Sequence, residues 1–236
     1  MNKLTPKPKL AFAAAFFASL LIIVSLLFSL LQLVVHNDGW LAGRYEAYGT
    51  AQEIGIPTED ITAAFMQLIY YMDGDVDTIQ LTVHEFGAEV PMYNQREIMH
   101  MEDVRTLYQA WRTLRDWGVS AAVLLIFLCI LLSEKREWPR TLAKGFLWAS
   151  AFLGLVIAAF GVWVAVDFNG FWLNFHYLFF DNDLWLLSYA TDRMIRICPQ
   201  QLFYDIVVRF GILFIIAFGA LLACAVLCLK KKKPAA

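Results

Sequence analysis

The chain has 236 residues, of which 60% are hydrophobic, well above the roughly 45–50% of soluble domains. That excess makes it an integral membrane protein, and a formal net charge of −2 gives no bulk basic character to suggest nucleic acid. Cys129, Cys198, Cys224 and Cys228 form no C-x-x-C and three lie in apolar runs. They read as packing residues, which excludes a disulfide framework or a thiol redox centre.

Residues 1–9 form a tail carrying Lys3, Lys7 and Lys9, and 10–35 is a first uncharged apolar run. At about 1.5 Å per residue it is long enough to cross a bilayer with some tilt. It is too long for a cleaved signal peptide, and no A-x-A-like site follows it. Further spans are expected at 117–132, 145–166 and 206–229, joined by a basic loop at 133–144 and ending in a basic tail at 230–236. Four spans put both termini on one side. The two tails and the loop hold 11 of the 19 Lys and Arg, every lysine among them, but only Glu134 and Glu137 of the 21 acids. The positive-inside rule then places both termini in the cytoplasm and segments 36–116 and 167–205 outside.

Segment 36–116 is long enough for a small mixed α/β cap. A helix is expected from Glu59 to Met72, capped by Thr58 after Pro57 and stopped at Asp73-Gly74. Thr78 to Val83 alternates like a strand, and Val90, Met92 and Tyr93 pair with it as a hairpin. Asp73 to Asp77 looks like the start of a calcium loop. Its sixth position is Thr78 and its twelfth His84, where glycine and glutamate are needed, so it reads as an acidic turn.

From Gln95 a helical pattern runs on into the second span. His100, Val104, Leu107, Trp111 and Leu114 share one stripe. Asn94 is the expected N-cap, with Glu97 three residues on as in a capping box. Arg96, Glu97 and Asp103 lie about one turn from His100. A carboxylate near an imidazole sets its tautomer and holds its pKa near working pH. The plainer reading is a solvated amphipathic face with a half-buried histidine.

Phe168 to Phe180 is aromatic-rich and too short to span, so it reads as an interfacial or re-entrant helix on the outer face. It carries His176 and is followed by Asp181-Asn182-Asp183. An ionisable group at the membrane boundary is a functional candidate. Its plainer reading is an interfacial histidine satisfied by a neighbouring Asn or Asp.

The motifs R-E-x-x-H-M-x-D-V, Arg96 to Val104, and F-H-x-x-F-F-x-N-D-x-W, Phe175 to Trp185, resemble those of the bacterial lipoprotein intramolecular transacylase (Lit) family. The likeness covers most of the chain: four spans, an outer cap after the first, and an aromatic segment before the fourth. It implies an acyltransferase of the bacterial plasma membrane that moves the sn-2 acyl chain of a diacylglyceryl-modified N-terminal cysteine onto that cysteine's own α-amino group. It implies His100 and His176 as the catalytic pair, no cofactor, and the lipoprotein N-terminus with its surrounding lipid as partner. Arg96, Glu97, Asp103, Asp181, Asn182 and Asp183 are the expected supporting residues. Glu97 and Asp103 are candidates to orient His100, Asp181 or Asp183 to orient His176, and Arg96 or Asn182 to stabilise an oxyanion. The chemistry needs no enzyme nucleophile, because both reactants belong to one molecule, and the chain has no G-x-S-x-G.

Two other readings compete. His36, His84, His100 and His176 with nearby acids suggest a metal enzyme, although no H-E-x-x-H is present. A non-catalytic accessory or receptor-like membrane module needs no chemistry at all. A transporter is disfavoured, since the spans contain almost no buried ionisable residues, only Asp167 and Arg209 near outer ends.

Overall fold

The computed structural model describes residues 7–231, so the expectations for Lys3 in the first tail and for Lys232 and Lys233 in the last lie outside the described residues. The chain is a largely helical membrane protein that divides into two compact units. One contains the chain up to Leu30, Thr113–Phe171 and the chain from Gly211. The other contains Leu31–Arg112 and Trp172–Phe210.

Four helices are long and apolar enough to cross a membrane: α1 (Pro8–Val35), α5 (Gln95–Leu132), α6 (Trp138–Val166) and α9 (Gln200–Lys230). Their apolar portions make up the first unit. Leu124, Leu155, Val162 and Ile215 are more than half exposed there, as expected of side chains whose solvent is lipid. Between helices the contacts rest on small residues, because lipid tails remove most of the hydrophobic drive and leave close packing to hold helices together. Ala11, Ala14 and Ala15 of α1 cluster with Cys129 and Leu132 of α5. On α6, a Cβ at Gly145 would lie 2.7 Å from the Ala15 backbone carbon, so only glycine admits this approach. The α6 helix begins seven residues before the expected span. Pro139 in its first turn favours this start, since proline there sacrifices no helical hydrogen bond.

The second unit is built on α4 (Thr58–Asp73), with α2 (Asp38–Tyr48) and α3 (Thr50–Ile54) beside it. Ile61, Ala64, Phe65, Leu68 and Ile69 give α4 one buried face. The cap of α4 differs from expectation. The Pro57 carbonyl accepts the first helical bond, from Ile61 N at 3.0 Å, so Pro57 is the N-cap and Thr58 is already helical. The hairpin is also shorter and shifted. Strands β1 (Thr82–Glu85) and β2 (Ala88–Pro91) pair antiparallel, with Val83 opposite Val90. Upstream, the Gln80 side chain replaces the ladder: its amide donates to Tyr93 O at 2.8 Å and accepts from Tyr93 N at 3.2 Å. The turn places Phe86 and Gly87 both at positive φ, as a two-residue type I′ turn requires.

Helix α4 ends on Gly74 in the left-handed conformation. The expected acidic turn is a junction here. Asp73 accepts from His36, Gln32 and Tyr108, and Arg112 donates to its carbonyl at 2.9 Å. Tyr45 and Tyr93 are fully buried, and each hydroxyl has a carbonyl partner, Ile197 and Ala64 respectively. The remaining elements are α7 (Phe168–Phe179), the expected aromatic helix, and α8 (Arg193–Ile197).

Candidate functional site

The site begins at the N-terminus of α5. Asn94 and Glu97 form the expected capping box: Glu97 N donates to Asn94 Oδ1 at 3.1 Å and Asn94 N to Glu97 Oε2 at 2.7 Å. One turn further on, His100 points into the second unit, where it meets His176 of α7. Their ring centroids are 6.3 Å apart with planes tilted by 33°. The two histidines are 7% and 6% exposed.

Aromatic rings enclose the pair. Phe180 lies edge-on to His100 at 5.5 Å and touches His176 at 5.6 Å. Trp185 stacks on His176 at 4.8 Å, and Trp172 approaches it at 4.7 Å. His176 Nδ1 lies 2.7 Å from the Trp172 carbonyl. A carbonyl only accepts, so Nδ1 carries the proton and donates, leaving the Nε2 lone pair of the neutral ring free. The buried Nδ1 of His100 has no hydrogen-bond partner. Burial is the main cause that holds the His100 pKa down at about 4. The nearby His176 and Arg96 lower it further, and Asp103 opposes them. Burial also lowers His176, against the Trp172 carbonyl bond. Both rings are therefore neutral at pH 7.

The supporting residues are partnered otherwise than expected. The Glu97 carboxylate, 1% exposed, is taken up by Asn94 N and by Met194 N at 2.5 Å. It ties the start of α5 to the start of α8 and does not bond His100. Burial raises its pKa, and these two backbone donors offset part of the rise. Asp103 accepts from the Asn182 amide at 2.8 Å. Arg96 donates to the Asp183 carbonyl, with the Asp183 carboxylate 3.7 Å away. Arg96 and Asn182 are thus engaged in clasping residues 182–183 onto α5. Asp181 is exposed. Neither it nor Asp183 takes the place at His176 Nδ1, which Trp172 fills.

Trp172, Phe180, Trp185 and Asp192 went unassigned in the sequence. Asp192, 3% exposed, accepts from the Asn94 side chain at 2.7 Å and from Ser188 N at 2.6 Å. The signal for Trp172 was its place four residues before His176, on the same helical face. Asp192 had no comparable signal, because the partner that ties it to the site, Asn94, is distant in sequence. Among the described residues, no group of three or more His, Cys, Asp and Glu is arranged to hold a metal ion. His36 and His84 lie apart from the pair, bonded to Asp73 and Asp60.

The arrangement supplies two neutral imidazoles side by side in a largely buried aromatic enclosure. One has a tautomer set by the backbone and the other a nitrogen unused by the protein. Such a pair can take up and return one proton.

Comparison with solved structures finds the same fold in the membrane integral lipoprotein intramolecular transacylase Lit from Bacillus cereus, with a TM-score of 0.69 at 16% identity, covering 94% of each chain. Two variants of that protein, with a histidine changed to arginine or to alanine, match with TM-scores of 0.65 and 0.63 at the same identity. They cover 94% of this chain and 89% and 91% of theirs. No curated protein matches the sequence. The family model described as lipoprotein intramolecular transacylase Lit matches residues 15–203, most of the chain, and the chain therefore belongs to that family.

Proposed function

We propose that the protein transfers the sn-2 acyl chain of a diacylglyceryl-cysteine to that cysteine's α-amino group, using His176 as proton acceptor and His100 as its partner at the reacting carbonyl. The observation that carries this reading is the facing pair of buried, neutral histidines, with His176 Nε2 open and His100 Nδ1 unpartnered.

An α-amino group has a pKa of about 7.7–8.0, so roughly a tenth of it is neutral at pH 7. Burial lowers the pKa of His176 below that of a free imidazole, which makes the ring a poor base for an ammonium ion. The reaction therefore starts from the neutral amine. Its nitrogen attacks the sn-2 ester carbonyl, forming the C–N bond and placing negative charge on the carbonyl oxygen. The attacking nitrogen becomes strongly acidic on bonding, and His176 Nε2 takes its proton. The C–O bond to the glyceryl oxygen then breaks, and that oxygen leaves with the proton returned by the His176 imidazolium. The products are an amide and a free sn-2 hydroxyl, with no net proton change. His100 offers its ring N–H to the developing oxyanion. The aromatic enclosure keeps water from the ester, which favours transfer over hydrolysis. In the same reading the termini lie in the cytoplasm and segments 36–116 and 167–205 lie outside, where lipoproteins present their lipid-bearing N-termini.

The test uses purified protein and two synthetic diacyl lipopeptides, one with a free α-amine and one N-acetylated. The free amine is converted and the acetylated peptide is left intact. Release of fatty acid from the acetylated peptide would show a hydrolase and overturn the proposal.

A further inference from the structure

A second polar cluster lies apart from the histidines, where α2 packs on the start of α9. Trp40, Arg44 and Tyr48 recur every four residues and share one face of α2. Asp205 and Arg209, also four apart, share one face of α9. Arg44 Nη1 reaches Asp205 Oδ2 at 3.4 Å, and the Tyr48 hydroxyl donates to the same oxygen. The Arg209 guanidinium lies over the Trp40 ring, 4.7 Å from its centroid.

The cluster has more donors than the protein satisfies. Asp205 is shared between Arg44 and Tyr48, and Arg209 has no carboxylate partner among the described residues. Arg209 Nη1 and Arg44 Nε are both buried without a hydrogen-bond partner. A buried guanidinium N–H left unbonded is costly, and the group is shaped to grip oxyanions by paired bonds. Stacking on an indole orients that fork.

The position of the cluster limits the anion. From Phe210 to Leu229 the chain carries no charge, so Arg209 stands where α9 enters hydrocarbon, at headgroup depth. Tryptophan and tyrosine beside it are the residues that favour this depth.

We propose that Arg209 and Arg44, with Trp40 beneath, form a binding site for a phosphate oxyanion, carried as the phosphodiester of a membrane phospholipid or as free phosphate. Arg209 and Arg44 are both half-buried, the exposed part of each guanidinium supplies the N–H donors, and Asp205 holds Arg44 in place. The site is independent of the acyl-transfer reading, whose substrate presents ester and amine groups.

Native mass spectrometry of the full chain in detergent tests it, with phosphatidylglycerol, a diacylglycerol of the same chains, and inorganic phosphate as separate probes. The wild type retains phosphatidylglycerol and not diacylglycerol. In Arg209→Gln and in Arg44→Gln the retention falls by about tenfold or more, the scale of a lost charge-assisted hydrogen bond. Arg209→Lys keeps the charge but loses the stacked fork, and retains an intermediate amount. Arg115→Gln, which removes an arginine already paired with Asp116, leaves retention unchanged. Retention of inorganic phosphate alone, lost in the same variants, also supports the site and identifies its ligand as free phosphate. Equal retention of phosphatidylglycerol and diacylglycerol, or retention unchanged in Arg209→Lys and Arg44→Gln, overturns the proposal.

Discussion

His100 sits among aromatic rings with a pKa held near 4, and this links its protonation to stability. In the unfolded chain a histidine titrates at about 6.5. Between those values the unfolded state binds a proton that the folded state refuses, so stability falls as pH drops through this window and is fully present above it. We expect the melting temperature in detergent to fall from pH 7 to pH 5. The fall should be smaller in His100→Gln, whose side chain does not titrate. An equal fall in both proteins would place the sensitive group elsewhere. The two histidines and their neighbours were legible as motifs in the sequence. The bonding of Glu97 and Asp103 was not, because helical spacing shows which residues can reach His100 and not which partner wins. Glu97 lies one turn from His100, yet two backbone N–H groups claim its carboxylate.

Helix ends and close approaches carry the next level. Glu97 satisfies one donor at the start of α5 and one at the start of α8. Glu97→Ala strands the buried Met194 N–H, at a cost of about 1–3 kcal/mol, and the part-buried Asn94 N–H, which costs less. Asn94→Ala removes the cap and its bond to Asp192, and costs about 1 kcal/mol. Unfolding in denaturant should rank Glu97→Ala as the more damaging, and the reverse order would contradict the bonding described. In the apolar unit, Gly145→Ala drives a methyl group into the Ala15 backbone, an overpacking that costs about 1–3 kcal/mol. Its melting temperature should drop by several degrees, and an unchanged value would show that α1 and α6 separate easily. The long helices and the Asn94 capping box were readable because composition and local spacing determine them. The α4 cap and the hairpin register were not. Pro57 took the capping position through its carbonyl, and Gln80 replaced a strand pair with its own amide. Neither leaves a mark in hydrophobic periodicity.

At the scale of the molecule, the charge pattern predicts one orientation in the membrane. Cysteine placed at Glu89 in the hairpin should react with a membrane-impermeant maleimide on intact cells, and cysteine placed at Lys135 should react only after the cells are opened. The opposite pattern would invert the topology and put the histidine pair in reach of the cytoplasm.

The central claim is that one acyl chain changes its atom of attachment within a single lipoprotein. Substrate and product have the same mass, so the direct measurement is fragmentation of the N-terminal lipopeptide from a host that makes diacylated lipoproteins with free amines. With this chain expressed, one acyl group should be found on the α-nitrogen. In His100→Asn or His176→Asn the transfer should fall by about a hundredfold or more, the scale of lost general acid–base catalysis. Both acyl groups remaining on the glyceryl unit with the wild-type protein present in the membrane, or unchanged transfer in either variant, would contradict the account.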